Sequence, residues 1–122
     1  MESERALLNS GTLLLAIAAL LGFVQERYRG SPDAFARWRV VHAGGAAGGV
    51  QLIALSAVWP RLSGGAPWSV FLAWGLILAA WGFFFGPLAT AMGQPRVARI
   101  VNWAGALVAL PSYLALPTLF LR

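Results

Sequence analysis

The sequence predicts an all-α fold, a bundle of four transmembrane helices forming one small integral membrane domain over residues 1–122. Three observations carry this. The chain is 59% hydrophobic and 11% charged, with a mean hydropathy of +0.71, too apolar for a water-soluble domain of this size. Its length holds about four stretches of roughly 20 residues joined by short loops. The apolar runs are separated by clusters of Gly, Pro and Arg, while Glu2, Glu4, Glu26 and Asp33 all fall at the terminus or in the first loop.

The first expected span covers residues 6–24 and closes on Gln25-Glu26-Arg27-Tyr28-Arg29-Gly30. Asn9, Ser10 and Thr12 sit in its first turns, where capping is their expected use. The amino terminus lacks the cationic start of a signal peptide, so this run is read as a mature helix. Ser31 and Pro32 make a cap and first residue for a short interfacial helix over residues 34–39, with Phe35 and Trp38 dipping into the bilayer and Arg37 and Arg39 at the headgroups. The second span, residues 40–59, ends on Trp59-Pro60-Arg61, read as an interfacial tryptophan and a helix stop. The third, residues 68–88, is the most aromatic, with Trp74, Trp81 and Phe83-Phe84-Phe85, and its end is expected at Gly86-Pro87. Consecutive aromatic residues cover all sides of a helix, so most of this run is expected to meet lipid or a neighbouring subunit. The fourth span covers residues 97–120, where Pro111 and Pro117 are expected to bend it and free backbone carbonyls.

The net charge of +5 does not indicate nucleic-acid binding, because the arginines sit in short loops rather than on a soluble face. They are topology signals. With four spans, Arg5, Arg61 and Arg122 share one side, and Arg27, Arg29, Arg37, Arg39, Arg96 and Arg99 share the other. In a bacterial inner membrane the positive-inside rule then places the first and third loops in the cytoplasm. There is no cysteine, which excludes disulfides, iron–sulfur clusters and thiolate ligation.

His42 is the only histidine and stands at the head of the second span. On a helix, Gly45, Ala46 and Gly49 share its face. Two readings are open. Gly44-x-x-x-Gly48 and Gly45-x-x-x-Gly49 are overlapping small-residue pairs, which in membranes serve close helix contact. Alternatively, a lone imidazole above a nearly side-chain-free surface suits a planar macrocycle held through its metal, and an ionisable group in a span is a functional suspect; haem is then the leading ligand. Asn102, at a matching depth in the fourth span, begins a face continued by Ala106, Ala109 and Tyr113 that is expected to line a pocket beside His42.

These residues carry a family resemblance. Gly30-Ser31-Pro32, Ala36-Arg37, His42 with Gly44-Gly45 and Gly48-Gly49, Ala80-Trp81, Pro95-Arg96 and Ala109-Leu110-Pro111-Ser112-Tyr113-Leu114 resemble, in register from about residue 9 to 116, the membrane-integral styrene oxide isomerase family. The resemblance implies a homotrimer that binds haem b through His42 and rearranges a small apolar epoxide to a carbonyl compound, with ferric iron as the Lewis acid. In that family an asparagine and a tyrosine orient the epoxide. In this register they fall on Gly48 and Pro87, leaving Asn102 and Tyr113 as candidate catalytic replacements, with Gly45, Ala46 and Gly49 as cofactor contacts. Two other readings remain: a haem-binding membrane protein that senses or carries, and a small oligomeric transporter. The last calls for an ion-coupling residue deep in a span, and the sequence has none.

Overall fold

The computed structural model describes residues 2–119, and within them the chain forms four α-helices and a closing 3₁₀ turn. These are α1 (Glu2–Arg27), α2 (Pro32–Ser63), α3 (Ser69–Ala91) and α4 (Pro95–Ala115), followed by Leu116–Leu119. Each helix is long and apolar enough to cross a membrane. Arg122 and the expected end of the fourth span at residue 120 lie outside the described residues.

The helices pair along the chain, α1 on α2 and α3 on α4, with α2 and α3 joining the two hairpins. α3 is the central element: half of its most apolar window is buried, against 28% or less in the others. This accounts for its near absence of polar side chains. The core holds Leu7 and Leu14 of α1, Val41 and Leu52 of α2, and Leu76 and Phe84 of α3.

Glycine sets the spacing in both hairpins. A Cβ on Gly49 would lie 2.8 Å from the Gly11 carbonyl oxygen and 2.9 Å from the Leu15 nitrogen, so α1 and α2 cross backbone against backbone there. Likewise a Cβ on Gly82 would lie 2.9 Å from the Gly105 Cα, which marks the α3–α4 crossing. Lipid tails are as apolar as the side chains, so association in a bilayer rests on such close packing and on hydrogen bonds between helices. One such bond runs from the Trp81 indole to Ser10 Oγ at 2.7 Å and ties α3 to α1.

Several local expectations are corrected. α1 starts at Glu2, so Asn9, Ser10 and Thr12 lie inside the helix rather than at its cap; Thr12 Oγ1 donates back to the Leu8 carbonyl at 2.8 Å and Ser10 receives Trp81. No separate interfacial helix exists, because Pro32 starts α2 and nothing between it and the span breaks the helix. Pro60 does not stop α2, which ends instead on Gly64 in the left-handed region at φ 51°, a conformation only glycine adopts without strain. Trp59 is buried at 2% exposure against the neighbouring helices, because it continues the inward stripe Leu52, Ser56, Trp59. Pro87 lies inside α3; the Phe83 carbonyl that loses its helical donor there faces the bare surface of Gly44, at 3.7 Å from where a Cβ would stand. Pro111 is absorbed in α4, whereas Pro117 falls in the closing 3₁₀ turn.

Candidate functional site around His42

His42 follows directly after Val41 on the buried stripe of α2 and is itself half-buried. Its Nδ1 lies 2.6 Å from the Ala18 carbonyl of α1. A carbonyl oxygen only accepts, so Nδ1 carries the proton and donates, which leaves Nε2 with its lone pair. Nε2 has no hydrogen-bond partner among the described residues. Gly22 makes this geometry possible: one turn after Ala18 on α1, it presents no side chain where the imidazole lies, and a Cβ there would stand 3.3 Å from Cε1 and 3.4 Å from Nδ1. The sequence reading missed Gly22. Its signal was a glycine in the otherwise Leu/Ala-rich run Ala-Ala-Leu-Leu-Gly22-Phe.

The surface expected below the imidazole is not open within the protomer. A Cβ on Gly45 would meet the Phe84 ring at 2.9 Å and Ala18 at 3.0 Å, and Gly49 is the crossing point with Gly11. Both glycines are covered by α1 and Phe84, so the helix-contact reading describes them. Ala46 is half-buried on the same side.

Asn102 and Tyr113 also lie elsewhere. Asn102 rests on Gly86, where a Cβ would collide with its amide, and lines a cavity of about 200 Å³ with Arg37, Val40, Pro87 and Thr90. Val40, two residues before His42, stands about 160° around the α2 axis from it at 3.6 residues per turn. Tyr113 receives a hydrogen bond from Gln51 Nε2 at 2.6 Å. That pair lines a cavity of about 530 Å³ with Ala54, Leu55, Val58, Leu116 and Pro117. Gln51 is nine residues beyond His42, hence about 13 Å further along α2 and about 180° around it. His42 thus stands on one flank of α2, while Asn102 and Tyr113 face the other. Within one protomer the structure does not bring them together.

Gly48 and Pro87, where the resemblance implies an asparagine and a tyrosine, offer no hydrogen-bonding side chain. Gly48 faces Leu14 and Ala80, and Pro87 completes the wall beside Asn102. Of the aromatic run, Phe84 is core, while Phe83 and Phe85 are each 46% exposed; Phe85 stacks on Trp81 at 5.4 Å. Tyr28 stacks on Trp38 at 6.0 Å, closing the first loop at the same end as His42.

Fold and site together define a small four-helix membrane protein whose single imidazole is oriented by a backbone carbonyl and presents its second nitrogen. A family model described as styrene oxide isomerase matches residues 3–122. The chain belongs to the styrene oxide isomerase family. No individual curated protein and no solved structure matches it.

Proposed function

We propose that this chain is a haem-b-dependent membrane isomerase that converts a small apolar or aryl epoxide to a carbonyl compound. The observation that carries the reading is the Nδ1–Ala18 contact of 2.6 Å. Metal-binding histidines are commonly held in this way, with one ring nitrogen on a carbonyl and the other on the metal. The donor set fits a macrocycle rather than a bare ion: no group of three His, Cys, Asp or Glu side chains that could hold a metal exists among the described residues. A haem would need only one side-chain ligand from this chain, and His42 would supply it. Haem iron bound to His42 would supply a Lewis acid for the epoxide oxygen, with no net change of oxidation state.

The chain's own residues do the positioning. Ala18 and Gly22 fix the ring of His42, and the apolar helix faces exclude water from the reaction. An imidazole on one flank of α2 and an amide on the other meet only across a boundary between protomers. A homotrimer supplies such a boundary, because a cyclic interface pairs two different faces. Asn102 is accordingly the candidate epoxide-orienting group, acting from the neighbouring copy. A second reading, a haem-binding protein without catalysis, is favoured by Gly48 and Pro87, which contribute no hydrogen-bonding side chain at the family's polar positions.

The test is the visible spectrum of the detergent-purified protein with His42→Ala and Gly22→Val beside it, then styrene oxide added to the ferric form and product measured by gas chromatography. The isomerase reading expects a Soret band that His42→Ala abolishes and Gly22→Val weakens, an epoxide-induced shift, and aldehyde formation. A His42-dependent band with no turnover of any aryl epoxide would leave the carrier or sensor reading. If no haem binds even on reconstitution, both readings fall.

A further inference from the structure

The cavity of about 530 Å³ belongs neither to His42 nor to its face of α2. We infer that the cavity floored by Gln51 and Tyr113 is a separate binding site for an apolar molecule bearing a single oxygen acceptor. This rests on the isomerase reading only in naming the physiological occupants, since an aryl epoxide and its carbonyl product are both of that class.

The physical case starts from Gln51. It lies well inside α2, far from either end of a 32-residue helix. An amide at membrane depth is costly unless its hydrogen bonds are met. One of its N–H groups reaches the Tyr113 hydroxyl at 2.6 Å. A phenol that receives a bond through its oxygen still has its own proton to donate, and no acceptor for it exists among the described residues. Turning the amide over would let Tyr113 donate to Oε1 and leave the two amide N–H groups free instead. In either rotamer the pair keeps an unmet donor.

The rest of the wall is hydrocarbon: Ala54, Leu55, Val58 and Leu116. A volume of about 530 Å³ lies within the ordinary range of small-molecule pockets, which pair mostly apolar walls with a few converging polar groups. A lipid acyl chain would fill the space and leave the donor unmet. Water would meet the donor and leave the walls wet. An aryl compound with one ether or carbonyl oxygen satisfies both.

The experiment uses the protein in lipid nanodiscs and follows 4-fluoroacetophenone, an aryl ketone that cannot rearrange, by fluorine NMR, with empty nanodiscs measuring partition into lipid. The double variant Gln51→Leu/Tyr113→Phe removes every donor of the pair in either rotamer and keeps the shape; Ala54→Trp fills the space from an exposed position. Saturable binding is expected, weakened about three- to tenfold by the double variant, as for one hydrogen bond. Ala54→Trp should abolish it, and His42→Ala should leave it unchanged. The matching hydrocarbon, 1-ethyl-4-fluorobenzene, should bind more weakly than the ketone and not be weakened by the double variant. Equal binding of ketone and hydrocarbon, no effect of the double variant on the ketone, loss of binding in His42→Ala, or no signal above empty discs would each overturn the assignment. Because the measurement runs equally on haem-free His42→Ala protein, a missing Soret band sinks the isomerase reading without touching this one.

Discussion

Glycines that look alike along α2 do different physical work. Gly49 has no room for a methyl group, since its Cβ would press on the Gly11 carbonyl and the Leu15 nitrogen, both backbone atoms of α1 that cannot move aside. Gly44 has room, its nearest neighbour being the Phe83 carbonyl at 3.7 Å. Gly49→Ala is therefore expected to cost about 1–3 kcal/mol, the usual penalty for overpacking. Gly44→Ala should be neutral or stabilising by about 0.5–1 kcal/mol, because alanine loses less backbone freedom in a helix. Thermal unfolding in detergent, followed by tryptophan fluorescence, separates the two; equal melting temperatures would contradict the crossing geometry. The two small-residue pairs were legible in the sequence, but their division of labour was not. Spacing tells which residues share a helix face, and only the partner helix tells whether that face is covered.

At the scale of the element, proline had less authority than local rules assign it. Local rules make Pro60 and Pro87 helix ends, yet α2 and α3 pass through them by three and four residues. An interior proline removes one hydrogen bond and crowds the preceding turn, a cost of about 3 kcal/mol in an isolated helix, which tertiary contacts can exceed. For Pro87 the freed Phe83 carbonyl lies beside the bare surface of Gly44, where no side chain crowds it. Pro60 is exposed and has no such support. Pro60→Ala restores a donor to the Ser56 carbonyl and should stabilise the protein by about 1–3 kcal/mol, seen as a higher melting temperature. An unchanged or lower value would mean that the ring is needed to shape the end of α2.

For the whole molecule, the arginine distribution makes a prediction about orientation. The absence of cysteine gives a clean background for labelling. Ser31→Cys in the first loop is expected to react with a membrane-impermeant maleimide only from the cytoplasmic side. Gly65→Cys in the second loop should react only from the opposite side. The reverse pattern would show that six arginines against three do not decide the topology of this chain.

Four helices long and apolar enough to cross a membrane, and His42 as the single imidazole, were determined by the sequence alone, because hydrophobic length and the presence of one histidine are properties of the chain read in order. The family was legible too, from short patterns that keep their register across most of the length. Which nitrogen of His42 is free, which glycines are already covered and which cavity Tyr113 serves were decided only by the tertiary structure. Each depends on an atom from another helix: the Ala18 carbonyl, the Leu15 backbone, the Gln51 amide. Asn102 and Tyr113 matched His42 in depth and helical spacing, but spacing along one helix does not say which flank of a neighbouring helix it meets. That is set by rotation about the helix axes, and here the glycine crossings between helices hold that rotation in place.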